Sequence, residues 1–295
     1  MMNDIFFRDL EMCRTTVDDA LKNALPDSKE AYETLLDSMR YSFVGGGKRI
    51  RAIICLKFCE AVGGSPEAAL PAACAIEMIH SYTLIHDDLP CMDDDDMRRG
   101  KPSNHIKFGE FTATLAGDAL QAYAFETLLK SNLPPDTIVK MAQVLAEESG
   151  PRGVCGGQYL DLSSEGKDLA VGQLLEIYLL KTSALVSAGA QMGVLAGGGT
   201  SAQIYAAKKY AQAVGLAFQA RDDILDFTAT AEKLGKPIGS DLENNKTTLV
   251  SLLGIDKCKK LVQIETENAI HVLGGNFKNA EFLKSLASFL VGREF

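Results

Sequence analysis

Apolar residues recur at three- and four-residue spacing along most of the chain. Leu70, Ala73 and Ile76 are one example, with Glu77 and His80 continuing the row. The alternation of a half-buried strand is rare. Glycine, proline and serine clusters fall between the periodic segments: GGGKR at 45–49, VGGSPEA at 62–68, SNLPPD at 131–136, GGGTSA at 197–202 and NNKTT at 244–248. Ser65 and Ser201 are placed as N-caps, and Pro66 suits a first helical position. The pattern predicts about ten helices with short connections. No linker divides residues 1–295, so the expected architecture is all-α, a single domain.

One segment does not fit a simple two-faced helix. In FQARDDILDF (218–227), a helix advances about 100° per residue. Counted from Gln219, Asp222 lies at about 300°, Asp223 at about 40° and Asp226 at about 340°. All four share one stripe, while Phe218, Ile224, Leu225 and Phe227 cover the rest. A helix packed around most of its girth should turn that stripe toward something other than open solvent. The stripe holds short aspartates and no lysine, which suits a hard cation that takes oxygen ligands.

A denser acidic run stands at HDDLPCMDDDDMRRGKPSNH (86–105), where six aspartates fall between positions 87 and 96. In an unbroken helix Asp87 and Asp93 would point about 120° apart. Pro90 lies between them and disfavours a helix interior. If Leu89-Pro90-Cys91-Met92 bulges by about two residues, Asp87 and Asp93 regain a one-turn relation. His80 precedes Asp87 by seven positions and shares its face. Asp94, Asp95 and Asp96 are expected to be solvated or loop-capping, and Cys91 a small filler.

Composition narrows the chemistry. The 295 residues are 46% hydrophobic and 23% charged, enough apolar material for a sizeable core. A net charge of −9 argues against nucleic acid as a partner. Seven unpatterned cysteines read as reduced thiols in a cytoplasmic protein. The N-terminus lacks a signal-like apolar run, and LVSAGAQMGVLAGGG (185–199) is too short to span a bilayer, so no integral membrane segment is expected.

Bases flank the acids. GGGKRIR (45–51) pairs a glycine turn with Lys48, Arg49 and Arg51, a combination suited to a diphosphate. Arg98 and Arg99 follow the first acidic run. Lys181 and Thr182 lie in the apolar segment LLEIYLLKTSALV, and Lys236 and Lys246 follow the second acidic motif. These groups allow two anion sites, one bridged by metal and one purely basic.

Taken together, GGGKRIRA, EMIHSYTLIHDDLPCMDDDDMRRGKPSNH, GGQYLDL, YLLKTSAL, FQARDDILD and GSDLENNKTT resemble the trans-isoprenyl diphosphate synthases, closely the bacterial farnesyl diphosphate synthases. The resemblance spans roughly residues 30–290 and implies a helical bundle around a deep cavity, usually a homodimer. It implies that Lys48, Arg51, His80 and Arg99, with the Gly47 backbone, bind isopentenyl diphosphate. Asp87, Asp88, Asp93, Asp222 and Asp226 would hold two or three Mg²⁺ ions against an allylic diphosphate. Arg98, Lys181, Lys236 and Lys246 would clamp that diphosphate, and Thr182 and Gln219 would line the reacting centre. Relatives often end in a short basic tail, whereas FLVGREF carries one base, Arg293.

The resemblance also bears on product length. Tyr82 and Thr83 precede Asp87 by about one turn and lie where chain growth is blocked. An aromatic at Tyr82 with the two-residue insertion implies a C15 product, farnesyl diphosphate. The alternatives are a geranylgeranyl or geranyl diphosphate synthase. A non-catalytic subunit is a further alternative, and two complete aspartate motifs argue against it. A terpene cyclase is disfavoured by DDILD and GGGKRIR.

Overall fold

The computed structural model describes residues 4–25, 31–44, 46–228 and 247–292. Lys236, Lys246 and Arg293 lie outside the described residues, so the roles expected of them have no structural counterpart here. The fold is all-α, as the periodicity predicts. In chain order the helices are α1 (Asp4–Lys22), α2 (Glu33–Phe43), α3 (Ile50–Ala61), α4 (Pro66–Asp87), α5 (Asn104–Phe108), α6 (Glu110–Leu129), α7 (Pro135–Ser149), α8 (Val154–Ser163) and α9 (Val171–Tyr178). They continue with a π-helical turn (Leu179–Ser183), α10 (Ala184–Ala196), α11 (Ser201–Thr228), α12 (Leu249–Leu253), α13 (Ile255–Leu273) and α14 (Glu281–Gly292).

Helices α4 and α10 are apolar around nearly their whole girth and form the centre of the bundle, whereas α1, α7 and α14 are amphipathic covers. Small residues let α10 lie directly on α3. A Cβ at Gly189 would meet the Arg51 carbonyl oxygen at 2.7 Å, and one at Gly193 would meet that of Cys55 at 2.1 Å. This packing accounts for the glycines in LVSAGAQMGVLAGGG. That segment is part of a longer helical run, Val171–Ala196, which by length and composition could cross a bilayer, as could α4. The expectation of a run too short to span is therefore corrected. The two runs are 78% and 67% buried inside the bundle, which is what makes them apolar here.

Local signals were obeyed unevenly. Pro66 opens α4 as expected, but the Ser65 hydroxyl bonds Glu67 and not a helix N–H. At α11 the cap is Thr200, one residue before Ser201. Its hydroxyl accepts from Gln203 N at 3.3 Å, and Gln203 Oε1 accepts from Thr200 N at 2.9 Å.

The periodicity did not foresee a small antiparallel hairpin, β1 (Met97–Arg98) with β2 (Lys101–Pro102). Its loop is Arg99-Gly100, both at positive φ (53° and 73°), the signature of a two-residue turn matched to strand twist. The turn separates the two arginines: Arg98 reaches Asp88, while Arg99 reaches back to the glycine loop before α3.

Candidate active site

The basic wall starts from that glycine loop. Gly46 and Gly47 sit at φ 115° and 125°, a region that side chains resist. A Cβ on Gly47 would lie 3.2 Å from the Arg99 guanidinium, and Arg99 Nη1 donates to the Gly46 carbonyl at 2.6 Å. Arg49 follows in the left-handed region and is buried. Its guanidinium is consumed internally: Nε donates to Asp18 (2.8 Å), Nη1 to Glu77 (3.3 Å) and Nη2 to the Phe43 carbonyl (2.6 Å). The expectation that Arg49 adds to the anion-binding bases is corrected. It pins the loop beside a cavity of about 580 Å³, which it lines together with Lys48, Arg51, His80 and Arg99. Burial and the neighbouring arginines 51, 99, 49 and 98 hold His80 well below the usual histidine range. It is therefore neutral near pH 7 and offers hydrogen bonds, not charge.

The acidic wall lies at the end of α4. Asp93 N donates to the Asp87 carbonyl oxygen at 2.8 Å. A helix makes that bond four residues on, and here it is made six residues on. Two residues are looped out through the turn at Leu89-Pro90-Cys91-Met92, the bulge expected from Pro90. Burial raises the Asp87 carboxyl to about 7; Lys181 opposes this and Asp93 adds to it.

Asp88 behaves differently. It is 2% exposed, and its Oδ1 accepts from both Nε (2.8 Å) and Nη2 of Arg98. Arg98 also bonds Asp95 at 3.1 Å, so Asp95 steadies the arginine. Asp88 thus anchors Arg98, a contact that the metal-ligand expectation for Asp88 did not include. Asp94 occupies a left-handed position in the loop, and Cys91 is exposed, not a filler.

On α11 the stripe is narrower than the helical arithmetic implies. Asp222 and Asp226 are half-buried. Asp223 is 4% exposed and accepts from Tyr178 Oη and Leu249 N, both at 2.8 Å. It turns inward to join α9 and the start of α12. Gln219 Oε1 accepts from Thr182 Oγ1 at 3.0 Å, which brings those two expected centre residues together.

Lys181 and Thr182 sit in the π-helical turn, where an extra residue per turn shifts the register of a continuous apolar helix. Lys181 Nζ donates to Asp161 Oδ2 at 2.5 Å. A Cβ at Gly157 would lie 2.2 Å from the Lys181 amide nitrogen, so α8 touches the turn backbone to backbone. Asp161 was not singled out from the sequence. The signal was present in GGQYLDL, where the glycine permits contact and the aspartate follows one turn later.

A second cavity of about 410 Å³ is lined by Tyr82, Thr83, Asp87, Cys155, Gln158 and Lys181, among others. Arg51, His80 and Thr182 line both cavities. Tyr82 is 5% exposed, and its hydroxyl lies 3.2 Å from Cys155 Sγ on the facing helix. One cavity is thus rimmed chiefly by bases, and the other sets Asp87 opposite Lys181 over largely apolar groups. Among the described residues no three carboxylate, histidine or cysteine side chains converge as a ready-made metal cluster.

Known proteins give the arrangement its context. The polyprenyl synthetase family profile matches residues 32–287. A geranylgeranyl diphosphate synthase of Cyanophora paradoxa is 46% identical over 280 residues, covering 94% of this chain and 93% of that protein. An FPP/GFPP synthase from Zymomonas mobilis, solved without ligand, superposes with a TM-score of 0.89 at 35% identity, covering 98% of this chain and all of the other. A geranylgeranyl pyrophosphate synthetase from Pyrococcus horikoshii superposes at 0.88 with 32% identity and 99% coverage of both chains. With its motifs set around two joined cavities and matched over most of its length, the chain belongs to the polyprenyl synthetase family and is a prenyltransferase.

Proposed function

We propose that this prenyltransferase condenses isopentenyl diphosphate with allylic diphosphates and elongates to the C20 product, geranylgeranyl diphosphate. The observation that carries the condensation is the pair of cavities meeting at Arg51, His80 and Thr182. The basic cavity suits isopentenyl diphosphate, held by Lys48, Arg51 and Arg99 with His80 as a neutral hydrogen-bonding partner. Its apolar side, from Phe218 and Leu290, suits the five-carbon unit. The second cavity suits the allylic substrate, with its diphosphate toward Asp87, Lys181 and Arg98 and its chain toward Tyr82. Lys236 and Lys246 are proposed to add to that clamp.

The donor set fits Mg²⁺. It consists of carboxylate oxygens, and Asp87 is raised to about 7 with Asp93 pressing against it, a repulsion that a bound cation relieves. Asp87 and Asp93 on one wall and Asp222 and Asp226 on the other would hold the ions. Mg²⁺ would neutralise charge on the departing pyrophosphate. Lys181 and Arg98 add fixed positive charge there, and the apolar lining excludes water from the allylic cation. The isopentenyl double bond then forms the new C–C bond, and a proton leaves to the pyrophosphate.

Protonation of Asp87 sets a pH dependence. Its folded value lies above the ordinary carboxylate value of 3.8, so below about 7 the group takes up a proton that Mg²⁺ must displace. The Mg²⁺ concentration giving half-maximal rate is expected to rise by about tenfold per pH unit below 7. A Mg²⁺ requirement that stays flat from pH 8 to pH 6 would contradict the assignment of Asp87.

The C20 reading rests on relatives named geranylgeranyl diphosphate synthases. It displaces the C15 expectation drawn from Tyr82. One observation favours the C15 alternative: bulky Tyr82 lines the second cavity, its hydroxyl 3.2 Å from Cys155 Sγ. Chromatography of dephosphorylated products decides between them, a main C20 alcohol supporting the first and C15 the second. Tyr82→Ala is expected to lengthen the main product by at least one C5 unit in either case. Unchanged products from that variant would remove Tyr82 from the floor. Exposed Ile106, Phe111 and Leu115, on α5 and α6, support the proposed homodimer.

A further inference from the structure

Strained backbone is concentrated in the glycine loop before α3: Gly46 at φ 115°, Gly47 at φ 125° and Arg49 at φ 52°. Such conformations persist only where the surroundings over-determine them. Here the fixing contacts converge on Arg49, whose side chain is 1% exposed. Asp18 on α1 accepts from it at 2.8 Å, Glu77 on α4 at 3.3 Å and the Phe43 carbonyl at 2.6 Å. Asp18 also accepts from Arg14 Nη1 at 3.2 Å, so the network continues along α1.

Glu77 joins the parts of this wall. Oε2 meets Arg49, and Oε1 accepts from Ala52 N at 3.3 Å in the first turn of α3, directly after Arg51. His80 follows Glu77 by three residues and shares its face of α4. Arg99 takes its place from the loop, through its bond to the Gly46 carbonyl. The segments that carry Lys48, Arg51, His80 and Arg99 are therefore tied together through one buried carboxylate. Among the described residues it is also the one carboxylate that lines the basic cavity. Arg51 makes the contrast with Arg49: its Nε is buried and has no hydrogen-bond partner among the described residues. Arg49 is spent on the loop, whereas Arg51 is kept for a ligand.

Resting on the prenyltransferase reading above, we propose that Glu77 and Asp18 are positioning residues for isopentenyl diphosphate: by holding Arg49 they fix the glycine loop, and with it Lys48 and Arg99, in the geometry that receives the diphosphate. Stability alone is a poor reason for the network, because apolar residues of similar volume often serve as well as a buried ion pair. Charge alone is a poor reason too. A carboxylate beside an anion site repels the anion, so it is retained for where it puts the loop. Neither residue gains or loses a proton in the reaction, and both act through Arg49.

The test is Glu77→Gln and, separately, Asp18→Asn in the full-length protein. Each keeps the shape of one anchor and removes its charge. Steady-state kinetics are measured with isopentenyl diphosphate and the allylic diphosphate varied in turn, together with the melting temperature. KM for isopentenyl diphosphate is expected to rise about tenfold or more in Glu77→Gln and about threefold in Asp18→Asn. KM for the allylic substrate is expected to stay within about twofold, and kcat at saturation within about threefold. The sign is decisive. If Glu77 served only as a counter-charge, its removal would make the cavity more basic and lower KM for isopentenyl diphosphate. An unchanged or lowered KM in Glu77→Gln would therefore overturn the proposal. So would equal rises for both substrates with a lower melting temperature, which would mark the network as packing. If the glutamine variant does not fold, Asp18→Asn, at the half-buried end of the network, decides by the same criteria. Absence of any prenyl product from the unmodified protein would instead overturn the prenyltransferase reading, and this proposal with it.

Discussion

Replacing Asp87 with asparagine is expected to lower turnover by about 10³-fold while leaving the melting temperature at pH 8 equal or higher. The two effects come from one property of the site. Asp87 closes α4 with its carboxyl raised to about 7, chiefly by burial, with Asp93 and Asp88 adding repulsion. An ionised group there opposes folding, and it is worth holding only if a cation and a diphosphate use it. Asparagine keeps the shape, removes the charge and forfeits the cation. The sign of the stability effect follows from linkage. Between 3.8 and about 7 the folded state binds more proton than the unfolded chain, so the cost of the ionised group is complete above that window and disappears as pH falls through it. The advantage of Asp87→Asn in melting temperature is therefore expected to shrink from pH 8 to pH 5. An asparagine variant that melts well below wild type at pH 8, or retains most activity at saturating Mg²⁺, would count against this account.

Lys181→Met is expected to cost about 10²-fold in kcat, and Asp161→Asn about tenfold or less. In the proposed reaction Lys181 would supply charge to the leaving group, whereas Asp161 would only aim it through their 2.5 Å contact. Methionine preserves the aliphatic stem in its apolar surroundings and removes the ammonium. Asparagine at 161 keeps a hydrogen-bond acceptor but weakens the grip, so KM for the allylic substrate should rise more than kcat falls. Steady-state kinetics with both substrates varied separate these outcomes. If Asp161→Asn proves the more damaging change, and melting drops with it, the pair serves the packing of α8 on the π-helical turn and not catalysis.

The parts of the site that lie close in sequence were legible there. Pro90, placed between Asp87 and Asp93, was enough to infer the looped-out turn that the Asp93 N to Asp87 O bond displays. Helical arithmetic likewise brought Gln219 and Asp222 to one side of α11. It failed for Asp223, which sits at the edge of the stripe and is drawn inward by Tyr178, 45 residues away. Nor did it reveal that Asp88 pairs with Arg98, a contact that depends on the Arg99-Gly100 turn. Nothing in LLEIYLLKTSALV marks an extra residue in the turn at Leu179–Ser183, because the polar Lys181-Thr182-Ser183 run is equally compatible with an ordinary helical turn. Arg49 looked like a phosphate ligand because a guanidinium in a glycine loop fits one. Only the contacts with half-buried Asp18 and buried Glu77 reveal its internal role. Contacts made across many tens of residues leave little trace in local spacing.

The central claim is that two adjoining cavities, one lined by Lys48, Arg51 and Arg99 and the other by Asp87 and Lys181, serve a single condensation. Its most direct test is incorporation of radiolabelled isopentenyl diphosphate into acid-labile prenyl product by the purified full-length chain. The account predicts label in product only when isopentenyl diphosphate, an allylic diphosphate and Mg²⁺ are all present, with one pyrophosphate released per isopentenyl unit joined. Pyrophosphate release from the allylic substrate alone at the same rate, or no labelled prenyl product with all three present, would contradict it.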